Sequence, residues 1–364
     1  MNVALAHEYF SVHGGAEAVV DTLHALWPAA PVYTFFHDRS RYGALPGWDI
    51  RPSYLQRLPL RGGAHRLLLP LYPGAAAGLR VSADTDVLLT STSGFIKGLS
   101  MAERTAHVAY CHSPTRYLWD WSDEYVREEV PLPLRPAVRD MIRRLRPKDL
   151  AFARRVDRWL ANSHAVRDRI ARYYGAEAEV VHPPVDVDSF RPAAERGDFW
   201  LFVGRLVRYK RADLAIRAFN EVGMRLLIVG EGRERGALER IARDNVTFSG
   251  RVSEATKREL LGAARGLVFP AEDDFGIVCA EALASGAPVV ALRAGGAPEI
   301  VRDGIDGALV DDAAPEAFAE KVRGVERASF SAAALRESAR RFDMSRFRER
   351  VAAIVAEAGK KGRA

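Results

Sequence analysis

The 364-residue chain has only two cysteines, Cys111 and Cys279, with no Cys-x-x-Cys pair and no Cys/His ligand spacing. A disulfide framework and a structural zinc are therefore not expected, and each cysteine reads as a small buried hydrophobe. Nor is there an apolar run near the roughly 18 residues that cross a bilayer. The opening MNVALAHEYF lacks the basic start and long apolar core of a signal peptide, so a cytoplasmic location is expected. Metal-binding acid pairs are equally scarce. The two Asp-x-Asp matches, Asp84/Asp86 and Asp186/Asp188, fall at the start of a strand and in a linker, not in a loop that could face a diphosphate, and no metal site is expected. No Ser-His-Asp or Cys-His constellation offers a protein nucleophile. No recognition module, zinc-finger spacing or aromatic-plus-glycine signature accompanies the basic charge, which argues against a nucleic-acid partner.

What is present points to an α/β enzyme. Hydrophobic residues make up 48% of the chain, and the length suits two domains better than one core. Short apolar runs alternate with helical patterns in both halves, as in parallel α/β folds. NVALAHEY, PVYTFF, TDVLLTSTS, AHVAYCHS and DRWLANS read as buried strands of the first half; FWLFVGRL, MRLLIVGEG, NVTFSGRV, RGLVFPAE and APVVALRAGG restart the pattern in the second. Between them VVHPPVDVDSFRPAAERGD, rich in proline and acid, reads as a linker. The expected division is 1–190, 191–340 and a terminal helix over 341–364. The formal charge of +6 is uneven: residues 135–172 carry twelve Lys or Arg against four Asp or Glu. That segment is either a solvated helical face or a surface drawn to an anionic membrane or lipid diphosphate. A second basic and apolar stretch, Arg51, Arg57, Arg61, His65 and Arg66 among Tyr54, Leu55, Leu58, Leu67, Leu68 and Leu69, fits either a polyprenyl-diphosphate acceptor at the membrane interface or ordinary packing.

The most informative segment is PAEDDFGIVCAEALASG, residues 270–286. Asp273 and Glu281 stand eight positions apart around the turn Phe275-Gly276-Ile277, which leads from an apolar strand into a helix. A helix start offers unpaired N–H groups and partial positive charge to an anion such as a diphosphate. Acids without a cation nearby in sequence suit neutral hydroxyls. A sugar nucleotide presents both chemistries. The second half opens with Gly204-Arg205-Leu206-Val207-Arg208-Tyr209-Lys210-Arg211 directly after a strand, where Arg205 and Lys210 can close on a diphosphate from two directions. Gly14 and Gly15 follow the first strand and let backbone approach an anion closely. His112 follows the strand AHVAY, and Arg116, Tyr117, Trp119 and Asp120 after it offer aromatic faces and a carboxylate to a sugar, or a packing cluster at a domain edge. Gly230 and Gly250-Arg251-Val252 end two further strands of the second half.

These residues resemble one family along nearly the whole chain. PAEDDFGIVCAEALASG resembles the acid-x7-acid motif of family 4 glycosyltransferases, although Asp273 stands where the family usually has Glu and Glu272 lies one position out of register. HEYF with HGGAE, CHSPTRYLWD, RVDRWLANS, HPPVDVDSF and GRLVRYKRADLAIRAFN look like the branch that includes bacterial O-antigen and polysaccharide mannosyltransferases. The resemblance implies a GT-B architecture, two Rossmann-like domains facing a cleft, with the C-terminal helix returning to the first. It implies a retaining, metal-independent transfer, with no cofactor, of a sugar, mannose from GDP-mannose foremost, to a glycan or polyprenyl-diphosphate-linked acceptor, with peripheral membrane contact. A UDP-sugar or other GDP-sugar donor, or a non-catalytic sugar-nucleotide-binding protein of the same fold, are the alternatives. In this resemblance Asp273 and the backbone of Phe275, Gly276 and Ile277 orient the sugar. Glu281 holds the ribose, Arg205 and Lys210 bear the charge of the leaving diphosphate, and His112 faces the sugar. Gly14, Gly15, Gly204, Gly230, Arg251 and Val252 border the nucleotide, and Arg116, Tyr117, Trp119 and Asp120 lie on the acceptor side.

Overall fold

The computed structural model describes residues 1–58 and 68–361. Arg61, His65, Arg66 and Leu67 of the early basic patch lie outside the described residues. The chain forms two units, one of residues 1–184 with 347–364 and one of residues 185–346.

In the first unit, β1 (Val3–His7), β2 (Val32–Thr34), β3 (Ile50–Pro52), β4 (Val87–Thr92), β5 (Ala106–Cys111), β6 (Arg158–Ala161) and β7 (Ala178–Val180) form a single sheet in the order β3-β2-β1-β4-β5-β6-β7. Every pairing is parallel. VALAH of β1 and VLLTST of β4 are buried throughout, the continuous burial expected of central strands covered on both faces. The connecting helices are α1 (Gly15–Leu26), α2 (Arg39–Tyr42), α3 (Tyr72–Gly78), α4 (Ser122–Glu129), α5 (Arg135–Ala153) and α6 (His164–Tyr174). α6 shows how local sequence sets an element: the Ser163 hydroxyl accepts from the Val166 amide at 3.1 Å, and left-handed Gly175 ends the helix.

The second unit repeats the plan with β8 (Phe199–Val203), β9 (Arg225–Val229), β10 (Val246–Gly250), β11 (Leu267–Phe269), β12 (Val289–Leu292) and β13 (Gly307–Val310), in the order β10-β9-β8-β11-β12-β13, again all parallel. Its helices are α7 (Ala212–Val222), α8 (Arg235–Ile241), α9 (Glu254–Ala263), α10 (Ile277–Ala284), α11 (Ala297–Ile300), α12 (Pro315–Arg327) and α13 (Ala332–Ala339). In each sheet strand order reverses beside the first strand of its unit, between β1 and β4 and between β8 and β11. That is the point where open α/β sheets bind ligands beyond their carboxyl ends.

The last helix, α14 (Met344–Lys361), ends the chain in the first unit. Phe347, Val351, Ile354, Val355 and Ala358 recur at helical spacing and are buried with Val3, Leu5, Val87 and Tyr110. Burying each of the larger side chains contributes about 1.5–3 kcal/mol.

One expectation needs correcting. The first half of the proline-rich stretch expected to be a linker is packed: Val185, Val187 and Phe190 belong to the core of the second unit, Val185 pairs with Asp343 in a parallel bridge, and only from residue 191 onward does the stretch become exposed. The junctions fall at 184/185 and 346/347, not at 190/191 and 340/341. The apolar residues interleaved with the prolines and acids are what bury this segment.

Candidate active site

Each unit gathers the expected residues at the carboxyl edge of its own sheet. In the second unit β8 runs into Gly204–Arg211, and β11 runs through Pro270–Phe275 into α10. Lys210 and Asp273, 63 residues apart, meet as an ion pair with Nζ donating to Oδ2 at 2.5 Å. Burial works against the Lys210 ammonium, but Asp273 and then Tyr209 more than offset it and raise its pKa above the usual lysine value. The cation is therefore kept. Arg205 is exposed and donates to the Tyr209 hydroxyl at 2.5 Å with its guanidinium 5.8 Å from that ring, and Lys210 Nζ lies 5.3 Å from the same ring, so Tyr209 contacts both cations. Glu272 is exposed, whereas Asp273 is half-buried beside Lys210. The eight-residue spacing thus selects the acid that enters the cluster.

The turn is fixed from outside. Gly276, at φ 88°, leads into α10, which no side chain caps, leaving its first amides to other partners. The Gly296 amide donates to the Asp273 carbonyl at 3.0 Å. At Gly295 (φ 58°) a Cβ would lie 2.0 Å from that same carbonyl oxygen, so only glycine fits behind the acid. Gly230 is under a similar constraint, since its Cβ would fall 1.9 Å from the Gly204 oxygen. Its amide donates to the Gly250 carbonyl at 2.9 Å, holding the ends of β9 and β10 together. Arg251 is exposed, and Val252 packs against the core. Glu281 lies on α10, nearly buried, and accepts from Lys257 Nζ at 3.0 Å. Burial raises its pKa while Lys257 opposes the rise. Lys257 also pairs with Glu254 at 2.8 Å.

In the first unit Gly14 precedes α1 and Gly15 begins it. His112 lies one residue past β5. Its amide donates to the Thr92 carbonyl at 2.9 Å, its carbonyl accepts from Asn162 at 3.0 Å, and Nε2 lies 2.7 Å from Ser91 Oγ. Burial, with His7 adding to it, lowers the His112 pKa to about 3, so the imidazole is neutral. The four residues expected on the acceptor side are drawn into packing. Trp119 donates its indole N–H to Asp149 at 2.8 Å and stacks on Tyr173. Asp149, fully buried, also accepts from Lys97, Thr115 and Tyr174. The Asp120 carboxylate is held by Arg169 at 3.3 Å and Arg116 at 3.8 Å. Burial pushes the Tyr117 hydroxyl pKa well above the usual tyrosine value.

Sequence reasoning missed Lys257, Tyr209, Gly295 and Gly296, and in the first unit His7, Ser91 and Glu17. Gly295-Gly296 carried a signal, a glycine pair beyond a strand. Lys257 carried none, since its partner lies 24 residues away on another helix.

Two parallel Rossmann-like sheets with ligand-facing edges of this kind define a GT-B type glycosyltransferase fold. Residues 13–189 match the family described as Glycosyltransferase Family 4, and residues 198–326 match that described as Glycosyl transferases group 1. The chain belongs to the family 4 glycosyltransferases. It is 35% identical over 195 residues to the D-inositol 3-phosphate glycosyltransferase of Segniliparus rotundus, covering 46% of this chain and 43% of the relative. To that of Streptomyces griseus it is 32% identical over 237 residues, covering 50% of each. The chain spans about half the length of the curated relatives it matches. Among solved structures, Anabaena HepE in complex with UDP-glucose aligns at a TM-score of 0.70 with 17% identity over 98% of this chain and 100% of that one. A glycosyltransferase from Rickettsia africae aligns at 0.65 with 14% identity over 98% of each. At such identities the likeness is one of fold.

Proposed function

We propose that this chain transfers a sugar from a nucleoside diphosphate sugar to a hydroxyl of a glycan, polyprenyl-diphosphate-linked or other polar acceptor, with retention of configuration. The Lys210–Asp273 pair carries this reading: it places a lasting cation for the diphosphate beside a carboxylate for sugar hydroxyls, next to the uncapped start of α10. Arg205 and Lys210 oppose the negative charge that develops on the leaving diphosphate, a stabilisation greatest in the transition state. No metal is required for that role. Asp273 and the Phe275–Ile277 backbone orient the sugar, Glu281 accepts from the ribose, and His112 meets a sugar hydroxyl. The leaving phosphate takes the acceptor's proton, so no protein nucleophile is used.

For the donor, we favour a UDP-sugar. The relatives named above act on inositol 3-phosphate by name, and the HepE structure holds UDP-glucose; none carries the GDP-mannose that the sequence motifs suggest, which stands as the second reading. No helix among the described residues is long and apolar enough to cross a membrane, and the proposed membrane contact is peripheral.

A thermal-shift panel of UDP, GDP and their sugars decides the donor, because a ligand raises the melting temperature only by binding the folded state. UDP and UDP-sugars are expected to give the larger shift; a larger shift with GDP-mannose reverses the assignment. Turnover of the selected donor should fall at least tenfold in Asp273→Ala with little change in nucleotide affinity, and survive EDTA. Tight nucleotide binding without turnover in the unaltered protein would instead mark a sugar-nucleotide-binding protein.

A further inference from the structure

Three neighbouring strands line up a polar chain of which the assignments above use only His112. His7 ends β1 and sits in register with Ser91 of β4, while His112 lies just past β5, on the other side of β4. Parallel pairing at the same edge brings the three side chains into a row. Ser91 Oγ lies 3.1 Å from His7 Nδ1 and 2.7 Å from His112 Nε2. The first turn of α1 folds Glu17 back over the far end, with Oε1 3.5 Å from His7 Nε2. That last contact is long for a hydrogen bond but short for an electrostatic one. His7, Ser91 and Glu17 are 3%, 1% and 7% exposed, so water does not compete for these positions. His112 Nδ1 has no hydrogen-bond partner among the described residues.

A serine hydroxyl has one proton to donate. It can donate to only one of two flanking imidazoles, and the choice propagates along the row. The titratable groups facing His7 are Glu8, which follows it in the chain, Glu17 and Asp21 from α1, and His112. Three of these are acids, and the nearest favours a hydrogen on His7 Nε2. With a neutral His7 that hydrogen leaves Nδ1 bare, so Ser91 must donate to it and must accept from His112 Nε2–H. Protonating His7 would reverse both bonds of Ser91 and place the His112 hydrogen on Nδ1.

We propose that Glu17, His7 and Ser91 form a proton-ordered chain that fixes His112 as its Nε2–H tautomer and so offers Nδ1 as a hydrogen-bond acceptor to a hydroxyl of the bound sugar. The three are positioning residues, and the proposal rests on the reading that His112 meets the sugar. The logic is that of a carboxylate that sets a distant imidazole's tautomer without touching substrate.

The direct test is nitrogen-15 NMR of the histidine-labelled protein at pH 8, where imidazoles with ordinary pKa values are neutral. His112 is expected as the Nε2–H tautomer in the unaltered protein and as a tautomer mixture in Ser91→Ala; an Nδ1–H tautomer in the unaltered protein overturns the proposal. Kinetics give a second readout, as UDP release from UDP-glucose or GDP release from GDP-mannose, whichever donor the thermal-shift panel selects. Ser91→Ala and Glu17→Gln should each lower kcat about tenfold or more with donor KM nearly unchanged, and Ser91→Thr, which keeps the hydroxyl, should recover most of the loss. His112→Ala separates the two ideas. If it retains full activity, the reading of His112 itself fails. If it is inactive while Ser91→Ala and Glu17→Gln match the unaltered enzyme, the chain alone is refuted.

Discussion

Two lysines show how burial turns a side chain's charge into an obligation to its partner. Lys257 faces Glu281 at 3.0 Å, and burial already raises the Glu281 pKa against the pull of that lysine. Removing the cation in Lys257→Ala leaves burial and Glu254 raising it against the smaller pull of Arg258, so a larger fraction of Glu281 is protonated at any given pH. Nucleotide affinity of this variant should therefore lag the unaltered protein by a margin that widens as pH falls from 8 to 6, measured by calorimetric titration with UDP. A margin independent of pH would mean that Lys257 acts by packing alone. Lys97 is bound more tightly still. Its ammonium, 1% exposed, donates to Asp149 Oδ1 at 2.6 Å and to the Gly94 carbonyl at 2.5 Å. Lys97→Met strands a carboxylate in the core, and removing one partner of such a pair costs about 3–5 kcal/mol. Denaturant unfolding should show a loss of that order; a loss below about 1 kcal/mol would mean that water or a rearranged partner satisfies Asp149. Asp273 and Glu281 were legible in the sequence because their spacing reports a turn running into a helix. Lys257 and Ser91 were not, because each matters only through a partner that the fold brings near.

At the scale of elements, the Asp273 turn depends on a second loop. Gly295 and Gly296 follow β12 and press backbone to backbone against residues 273–275. Gly295→Ala adds a methyl 2.0 Å from the Asp273 oxygen at a left-handed position, so the turn must move. We expect kcat to fall at least tenfold with the fold retained in circular dichroism, whereas unchanged kcat would show that the turn yields without losing its acid. Ten strands were legible as apolar runs. The three without such a reading, β3, β7 and β13, are all edge strands. Ile50–Pro52 and Ala178–Val180 are at most half-buried and carry little apolar pattern, whereas Gly307–Val310 is buried but is only four residues long and opens on a glycine. Likewise the basic run over 135–172 did not disclose that many of its arginines are engaged within their own unit. Arg146 donates to the Leu118 carbonyl, Arg155 to that of Leu99, and Arg158 to Glu179 and Glu357.

Across the molecule, buried histidines set the response to acid. Burial lowers the His107 and His112 pKa values to about 3 from an ordinary 6.5. As pH falls below about 6.5 the unfolded chain binds two protons that the folded one refuses, so stability declines until about pH 3, where the folded state binds them too. Glu8 and Glu281, raised by burial, act in the opposite sense: above pH 4.5 the folded state holds protons that the unfolded state has released, and their stabilising effect grows on acidification. His107→Gln should flatten the decline in urea midpoint between pH 6.5 and 4.5; an unaltered slope would assign acid sensitivity to other groups. By itself the sequence determined that the chain is a two-unit parallel α/β protein and which acids, cations and glycines stand at strand ends, since periodicity and local spacing fix elements and their boundaries. Only the tertiary structure decided which of those groups touch. Lys210 reaches Asp273, Gly295 backs the acid, and His7, Ser91 and His112 share one row because strand order and register, set by packing over the whole sheet, bring distant residues to one edge.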